Sequence, residues 1–281
     1  MNISIKFPRT ATASLIIALA VGFVTVTAGP SSADVPGRVI VTESSDRNSD
    51  DKGAEVTCPD GTRVLGTGAE ISGGVGGSVI IDQVIPTAYT VSAYGVETPA
   101  GTTASWVIRV WAVCGNPRTT TYIRYQATAS HPNPKTLGLA CHEGDWLLGS
   151  GFQLEGVRGN VSVTGLIPTL DDVFVETKEN HRGYAGNYYL RVFVICAEDA
   201  PAGLQVVSEE SDENSDDKGS VVPCPDDKQA LSAGFSIPGA AGETVLTYFI
   251  PNNPTAIAYA HELSSTTREW SVRTYATCAF E

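Results

Sequence analysis

Oxygen-bearing side chains stand at alternate positions in two acidic stretches of the chain. Residues 45–53 read SDRNSDDKG, and residues 211–219 read SDENSDDKG. An Asp-x-Asn-x-Asp order supplies oxygen ligands in the way that the calcium-binding loop of an EF-hand does. The candidate metal ligands are therefore Asp46, Asn48, Asp50, Asp212, Asn214 and Asp216.

Other features of these stretches favour a simple turn. An EF-hand loop needs Gly at its sixth position and Glu at its twelfth. The first stretch has Asp51 and Thr57 there, and the second has Asp217 and Pro223. Because Asn and Ser side chains often bond to their own backbone in turns, we expect solvated turns at both places. The sequence predicts no metal and no cofactor.

A second set of residues recurs three times and could bind a ligand. Three evenly spaced arginines each have a glutamate before them at a nearly constant distance and an aromatic residue at the second position after them. The set is Arg109, Arg191 and Arg273 with Glu97, Glu179 and Glu262 and with Trp111, Phe193 and Tyr275. We expect the glutamates and arginines on paired strands. They would form either three equal sugar-binding sites or, as we favour, a structural Glu–Arg pair with the guanidinium on a ring.

Signatures of catalysis are weak in this sequence. The four histidines, His131, His142, His181 and His261, share no repeat position and lack the HxH or HExxH spacing of zinc sites. No serine lies in the signature of a known nucleophile. We therefore predict no catalytic residue. Two carboxylates on distant strands could still form a glycosidase site, and for this reason a hydrolase is kept as an alternative.

The cysteines show that the chain is a threefold repeat. They form two evenly spaced series, Cys58, Cys141 and Cys224 in one and Cys114, Cys196 and Cys278 in the other. Nearly the same step relates Gly68, Gly151 and Gly234, and also Pro86, Pro168 and Pro251. We expect repeats at residues 34–116, 117–199 and 200–281, so the two acidic stretches lie two repeats apart.

The repeats have the pattern of antiparallel β-structure. Short segments rich in Val, Ile, Thr and Tyr alternate with clusters of Gly, Pro, Asn and Asp, which predicts an all-β fold with four to six strands per repeat. In the segments that close the first two repeats, alternate residues form an apolar face that we expect in the core: Trp106, Ile108, Val110, Ala112 and Cys114, then Tyr188, Leu190, Val192, Val194 and Cys196. Because the connectors are short, we favour a closed pseudo-threefold, β-prism-like body over three separate domains.

Six cysteines in an exported chain predict three disulfides. We expect one within each repeat: Cys58–Cys114, Cys141–Cys196 and Cys224–Cys278. The competing symmetric pattern links neighbouring repeats through Cys114–Cys141, Cys196–Cys224 and Cys278–Cys58.

The segment CPDGTRVLGTGAEI at residues 58–71 resembles secreted repeat proteins of actinobacteria, which carry CPxG and GGGAEI-like segments and have no assigned activity. The resemblance covers all three repeats, although the second reads CHEGDWLLGSGFQL and the third reads CPDDKQALSAGFSI. More loosely, the threefold CP…GF…C pattern is similar to the vitelline membrane outer layer protein family. That similarity implies a threefold β-prism.

Residues 1–33 have the features of a signal peptide. Lys6 and Arg9 precede an apolar run from Leu15 to Val26, and small residues precede Asp34, where we expect cleavage. No later segment is long and apolar enough to span a membrane, so we expect no membrane insertion after the signal is removed. A net charge of −13 disfavours nucleic acid as a partner.

The sequence favours a secreted, non-enzymatic binding or structural protein of the extracellular or cell-envelope space. Its partner would be an extracellular glycan or protein. The alternatives are a multivalent carbohydrate-binding, lectin-like protein and a secreted hydrolase.

Overall fold

Alternating apolar residues and turn-forming clusters fold each repeat into six β-strands, as the pattern of the sequence predicts. The computed structural model describes residues 35–73, 75–157, 159–180, 182–239, 242–263 and 267–281. The predicted signal peptide, its cleavage site at Asp34 and His181 lie outside these residues. The described residues form eighteen strands and no helix. Accordingly, they include no helix that could cross a membrane.

The strands follow one another in the same order in every repeat. Repeat 1 contains β1 (Val39–Ser44), β2 (Lys52–Thr57), β3 (Arg63–Ser72), β4 (Val79–Pro86), β5 (Thr90–Glu97) and β6 (Val107–Gly115). Repeat 2 contains β7 (Thr121–Ala127), β8 (Thr136–Ala140), β9 (Trp146–Glu155), β10 (Val161–Pro168), β11 (Asp172–Glu179) and β12 (Tyr189–Ala197). Repeat 3 contains β13 (Gln205–Glu210), β14 (Lys218–Pro223), β15 (Gln229–Ser236), β16 (Thr244–Asn252), β17 (Thr255–Glu262) and β18 (Arg273–Ala279).

The strands form three six-stranded antiparallel sheets, and each sheet is shared by two repeats. Sheet 1/3 has the order β1-β6-β3-β16-β17-β14, sheet 1/2 has the order β2-β5-β4-β9-β12-β7, and sheet 2/3 has the order β13-β18-β15-β10-β11-β8. Each repeat therefore gives three strands to each of two sheets. This exchange links the three repeats in a cycle, and the predicted all-β, pseudo-threefold, β-prism-like body is confirmed.

A Gly–Pro contact lies at each place where two repeats share a sheet. In sheet 1/2, β4 and β9 pair only at Gln83–Gln153 and Val84–Phe152. A Cβ added to Gly151 there would overlap the Val84 carbonyl oxygen and lie 2.8 Å from Pro86 Cδ. The other two junctions repeat this arrangement with Gly68 against Pro251 and Gly234 against Pro168. The repeated glycines and prolines of the sequence therefore pack against each other between repeats.

A large hydrophobic core lies inside the three sheets, and a small second cluster contains Ile80, Val96 and Val245. The closing-strand faces predicted to be core are buried, with Trp106 and Cys114 fully buried in repeat 1 and Leu190 and Cys196 fully buried in repeat 2. The interior also holds aromatic rings from different repeats, because the Phe249 ring lies 6.2 Å from that of Phe152. The repeats thus share their core as well as their sheets.

The disulfides join cysteines of the same repeat, as predicted. They are Cys58–Cys114, Cys141–Cys196 and Cys224–Cys278. In each pair the first cysteine directly follows the second strand of its repeat and the other lies in the sixth strand, so each bridge connects two different sheets. In the chain-entropy model, loops of this length give about 4 kcal/mol of stability per bridge. Three intramolecular disulfides also indicate an oxidising environment.

We predict that Gly151→Ala strongly destabilises the fold. The new methyl group would overlap the backbone of β4, and relieving that overlap must shift the junction of repeats 1 and 2, at a cost of about 3 kcal/mol or more. Gly138→Ala is the matched control, because its Cβ would lie 3.6 Å from Phe174 Cδ2, which is ordinary contact. Urea unfolding of both variants measures the difference, and equal stability of the two would contradict this account of the junction.

Candidate functional site

The two acidic stretches form the turns that connect β1 to β2 and β13 to β14. In the first, the Asp50 N–H donates to Asn48 Oδ1 at 3.0 Å. In the second, the Asp216 N–H donates to Asn214 Oδ1 at 2.9 Å. The Asn side chains therefore hold the turns, as expected, and each already accepts a backbone hydrogen bond.

The candidate metal ligands are not brought together as a metal site. Within the described ranges, no group of three or more His, Cys, Asp or Glu side chains is arranged to hold a metal ion. The neighbouring carboxylates have backbone partners instead. Asp51 Oδ1 accepts from the Glu97 N–H at 2.7 Å, and Asp217 Oδ1 accepts from the Glu262 N–H at 2.8 Å.

Each repeat buries a lysine whose ammonium group is held by backbone carbonyl groups. Lys52, Lys135 and Lys218 are evenly spaced along the chain and are only 9%, 2% and 9% exposed. Lys52 Nζ donates to the carbonyl oxygens of Asn48 and Trp106 at 2.5 and 3.1 Å. Lys218 makes the same two bonds, to Asn214 and Trp270. The acidic turns thus enclose a buried cation.

The middle repeat keeps this lysine although its turn, TASHPNPKT, has lost the carboxylates. Lys135 Nζ donates to the carbonyl oxygens of His131 and Asn133 at 2.5 and 2.6 Å. In every repeat the Nζ atom also lies 4.0 Å from the centroid of an aromatic ring, that of Trp106, Tyr188 or Trp270. Because all three repeats share these contacts, we interpret the lysines as part of the framework.

Burial of the lysines lowers the pKa of each of them, and nearby carboxylates oppose this shift. Glu97, Glu179 and Glu262 are among the carboxylates that act on Lys52, Lys135 and Lys218 respectively. Two of these glutamates also hold a loop, because Glu97 Oε2 accepts from the Thr102 N–H and Glu179 Oε2 accepts from the Tyr184 N–H. The repeated glutamates therefore act electrostatically on the lysines.

The expectation that the same glutamates lie on strands paired with the arginines is wrong. Glu97 ends β5 in sheet 1/2, whereas Arg109 lies on β6 in sheet 1/3. The arginines find partners on the strands next to their own. Arg109 Nη1 lies 3.7 Å from Glu70 Oε2, and Arg191 Nη1 lies 3.7 Å from Glu155 Oε1. Arg273 pairs with Glu210. Hydrogen bonds from Ser271 and Arg273 lower the pKa of Glu210.

The aromatic partners of these arginines differ between repeats. Arg109 Cζ lies 5.5 Å from the Trp111 ring centroid, and Arg273 interacts with Tyr275. Arg191 instead lies 5.7 Å from the Tyr125 ring centroid, and Phe193 packs against Tyr125. The local partners of all three arginines favour the framework interpretation over three equal ligand sites.

The described histidines each have a different local role. His131 Nδ1 lies 2.8 Å from Lys135 Nζ, the His142 ring stacks on Tyr122, and His261 Nδ1 lies 2.6 Å from Asp217 Oδ2. These three side chains are not brought together into one site.

An apolar groove of about 400 Å³ lies on sheet 1/2. Repeat 1 contributes Ile85 and Pro86 from β4, and repeat 2 contributes Tyr125, Phe193 and Ile195 from β7 and β12. Its other lining residues are Arg63, Val64, Thr87, Ala88, Thr121, Tyr122 and Ile123. The volume falls within the range of about 300 to 1,000 Å³ that is usual for small-molecule sites. We call this feature the sheet 1/2 groove.

The groove does not follow the threefold symmetry of the framework. Tyr125, which is 68% exposed, pairs with Phe193 across β7 and β12. The corresponding partners of Trp111 and Tyr275 are Thr42 and Ser208. An exposed aromatic ring at this position is therefore special to sheet 1/2. Sequence reasoning singled out Phe193 but missed Tyr125, because the strand that holds Tyr125 carries no motif.

Asp82 is a buried carboxyl group at a second position where one repeat differs from the other two. It lies at the β-bulge of β4, where Thr164 and Thr247 occupy the bulges of β10 and β16. Asp82 is 6% exposed, and its Oδ1 atom has no hydrogen-bond partner among the described residues. Burial raises the pKa of Asp82 from 3.8 to about 7, although a hydrogen bond from Gln83 acts in the opposite direction.

Fold and groove together define the class of the protein: a pseudo-threefold, three-sheet β protein with an asymmetric apolar groove on sheet 1/2. No protein-family model matches the sequence, and no curated protein matches it significantly. The resemblances drawn from the sequence motifs stay predictions.

We predict that Lys135→Met lowers the free energy of unfolding by about 2 kcal/mol. Methionine keeps most of the buried stem but removes the ammonium group that donates to the partly buried carbonyl groups of His131 and Asn133, and a hydrogen bond from a charged group contributes about 1.5 to 3 kcal/mol. Lys178→Met is the matched control, because Lys178 is exposed on β11. Urea unfolding checks the prediction, and an equally small effect of both changes would show that the ammonium contacts contribute little.

We also predict that Asp82→Thr stabilises the protein in a pH-dependent way. The folded-state pKa of about 7 lies above the ordinary value of 3.8, so the unfolded chain loses the Asp82 proton first. The contribution of Asp82 to the stability of the native protein therefore falls as the pH rises from about 4 to 7. The variant should gain a few kcal/mol over the native protein at pH 8 and nothing at pH 3.5.

Thermal unfolding at several pH values measures this gain. Asp60→Thr, which removes an exposed carboxylate, should leave the pH profile of stability unchanged. A gain from Asp82→Thr that stays constant across the pH range would refute the proposed titration.

Proposed function

We propose that the protein is a secreted, non-enzymatic binding protein that holds a small ligand in the sheet 1/2 groove. The observation that carries this proposal is the departure of the groove from the symmetry of the framework. Residues that hold the fold repeat in all three units, as the buried lysines and the Gly–Pro junctions do. The corresponding residues of the other two repeats are Thr42 and Ser208, and the Tyr125 ring, although it contacts Arg191 and Phe193, is largely exposed at the groove.

The chemistry of the groove supports binding rather than catalysis. Its described lining includes no Asp, Glu, His, Cys or Lys, which are the residues that most often transfer protons or attack substrates in enzymes. Aromatic and aliphatic side chains instead provide a surface for apolar contact. Secretion is supported by the three disulfides together with the signal-like residues 1–33.

The two walls of the groove belong to different repeats, which gives it a fixed shape. The β4–β9 junction sets the distance between Pro86 and Phe193, and Gly151 lies between them on β9, paired with Phe193. On the β7 side, the Tyr122 hydroxyl donates to Asp145 and accepts from the His142 N–H. A groove built on sheet strands and fixed side chains is already formed before a ligand binds.

We predict that the protein binds N-phenyl-1-naphthylamine, an uncharged apolar fluorophore, at one saturable site. Tyr125→Thr introduces the residue that repeat 1 carries at the same position and should weaken binding at least tenfold, because the exposed ring is lost. Phe174→Thr removes an exposed aromatic ring from sheet 2/3 and should leave the affinity unchanged. Fluorescence titration gives the dissociation constants, and circular dichroism checks that both variants are folded.

Absence of saturable binding by the native protein would overturn the proposed function. An equal loss of affinity in Tyr125→Thr and Phe174→Thr would place the probe outside the groove and would also overturn it.

A further inference from the structure

We propose that the groove selects an amphipathic anion, with a flat apolar body between Tyr125 and Ile85 and one acidic group at Arg63. This inference rests on the proposed function and adds the chemical class of the ligand. The ligand would be a small aromatic or alicyclic carboxylate, sulfonate or phosphate.

Arg63 is the charged residue of the groove lining. It begins β3 and is exposed, and its Cζ lies 5.3 Å from the centroid of the Tyr89 ring. No carboxylate lies within ion-pair distance of Arg63 in the described part of the chain, whereas Arg109, Arg191 and Arg273 each have one. A guanidinium group that is positioned by contact with an aromatic ring and has no carboxylate partner can bind an anion from solution.

Arg63 is a further departure from the threefold pattern. By strand register it corresponds to Trp146 in repeat 2 and to Gln229 in repeat 3. The positive charge and the exposed ring of Tyr125 therefore occur at the same groove, although they come from different repeats. Neither residue recurs at the corresponding positions of the other repeats.

The remaining lining favours an apolar body over a sugar. Phe193, Ile85 and Ile195 offer no hydrogen-bonding groups, and the Tyr122 hydroxyl is already bonded to Asp145 and His142. The Thr87 hydroxyl is likewise bonded within its own turn, to Thr90. A polyhydroxylated ligand would lose hydrogen bonds to water that this surface does not replace, whereas flat apolar rings pack well against aromatic side chains.

A polar cleft beside the groove limits where the acidic group can lie. Arg63 and Thr121 line both features, and the cleft adds Arg118 together with Glu198 and Asp199. Asp199 accepts a hydrogen bond from the hydroxyl of Thr119, the residue that follows Arg118. Because Asp199 is bonded to the sequence neighbour of Arg118, whereas Arg63 also lines the apolar groove, we place the ligand anion at Arg63.

Two probes with the same ring system test this inference. N-Phenyl-1-naphthylamine is uncharged, and 8-anilino-1-naphthalenesulfonate carries a sulfonate on the same skeleton. We expect the native protein to bind the sulfonate about tenfold more tightly. Arg63→Gln, which introduces the residue of repeat 3, should remove this preference and leave binding of the uncharged probe unchanged. Arg118→Gln is the matched control and should keep the preference.

Salt gives a second measurement of the same contact. Raising the ionic strength should weaken binding of the sulfonate to the native protein but not to Arg63→Gln, because screening acts on the charge contact alone. If both probes bind equally, or if Arg63→Gln affects them equally, the inference is wrong while the proposed function stands. If neither probe binds, the proposed function fails and the inference fails with it.

Discussion

The architecture depends on the contact between a glycine of one repeat and a proline of the preceding one. At Gly68, Gly151 and Gly234 the preceding repeat approaches so closely that even a methyl group would overlap its backbone or its proline ring. Each junction is paired over only two residue pairs. Because these pairs supply few backbone hydrogen bonds, close packing must also stabilise the junction. Because the three junctions form a cycle, a repeat separated from its neighbours would lose half of each of its two sheets.

The corners of the body use a different means of attachment. There the chain passes from the edge strand of one sheet to the edge strand of the next, and the two edge strands lie side by side: β1 with β2, β7 with β8, and β13 with β14. A disulfide and a buried lysine in each repeat hold this region. Lys52, for example, connects the turn after β1 to the Trp106 carbonyl group just before β6. Carboxylates act on all three lysines and offset the cost of burying an ammonium group, so charge here stabilises the crossing point.

Much of the fold could be predicted because repetition marks positions that the framework requires. The regular spacing of the cysteines predicted the repeats, and the alternation of apolar residues predicted the core face of the closing strands. The cysteine spacing fits two symmetric disulfide patterns, and the one expected within each repeat is confirmed. Lys52, Lys135 and Lys218 have the same spacing, so the sequence could also have predicted their shared role. The exchange of strands could not be predicted, because the periodicity of a strand does not say which neighbour it pairs with. For this reason Glu97 and Arg109, which are close in sequence, were wrongly expected on paired strands.

The threefold symmetry also distinguishes structural residues from candidate functional residues more clearly than residue type does. A residue that recurs in every repeat is explained by the fold, as the arginines with their local carboxylates are. A residue that interrupts the pattern needs another explanation, either neutral divergence or a role of its own. Asp82 replaces a threonine, its burial costs stability at neutral pH, and it lies beside the Gln83–Gln153 pair of the junction. Tyr125 and Arg63, in contrast, are exposed, and although they come from two repeats they line one groove. Neutral divergence would place single changes independently around the body, whereas a binding site requires complementary changes at one place.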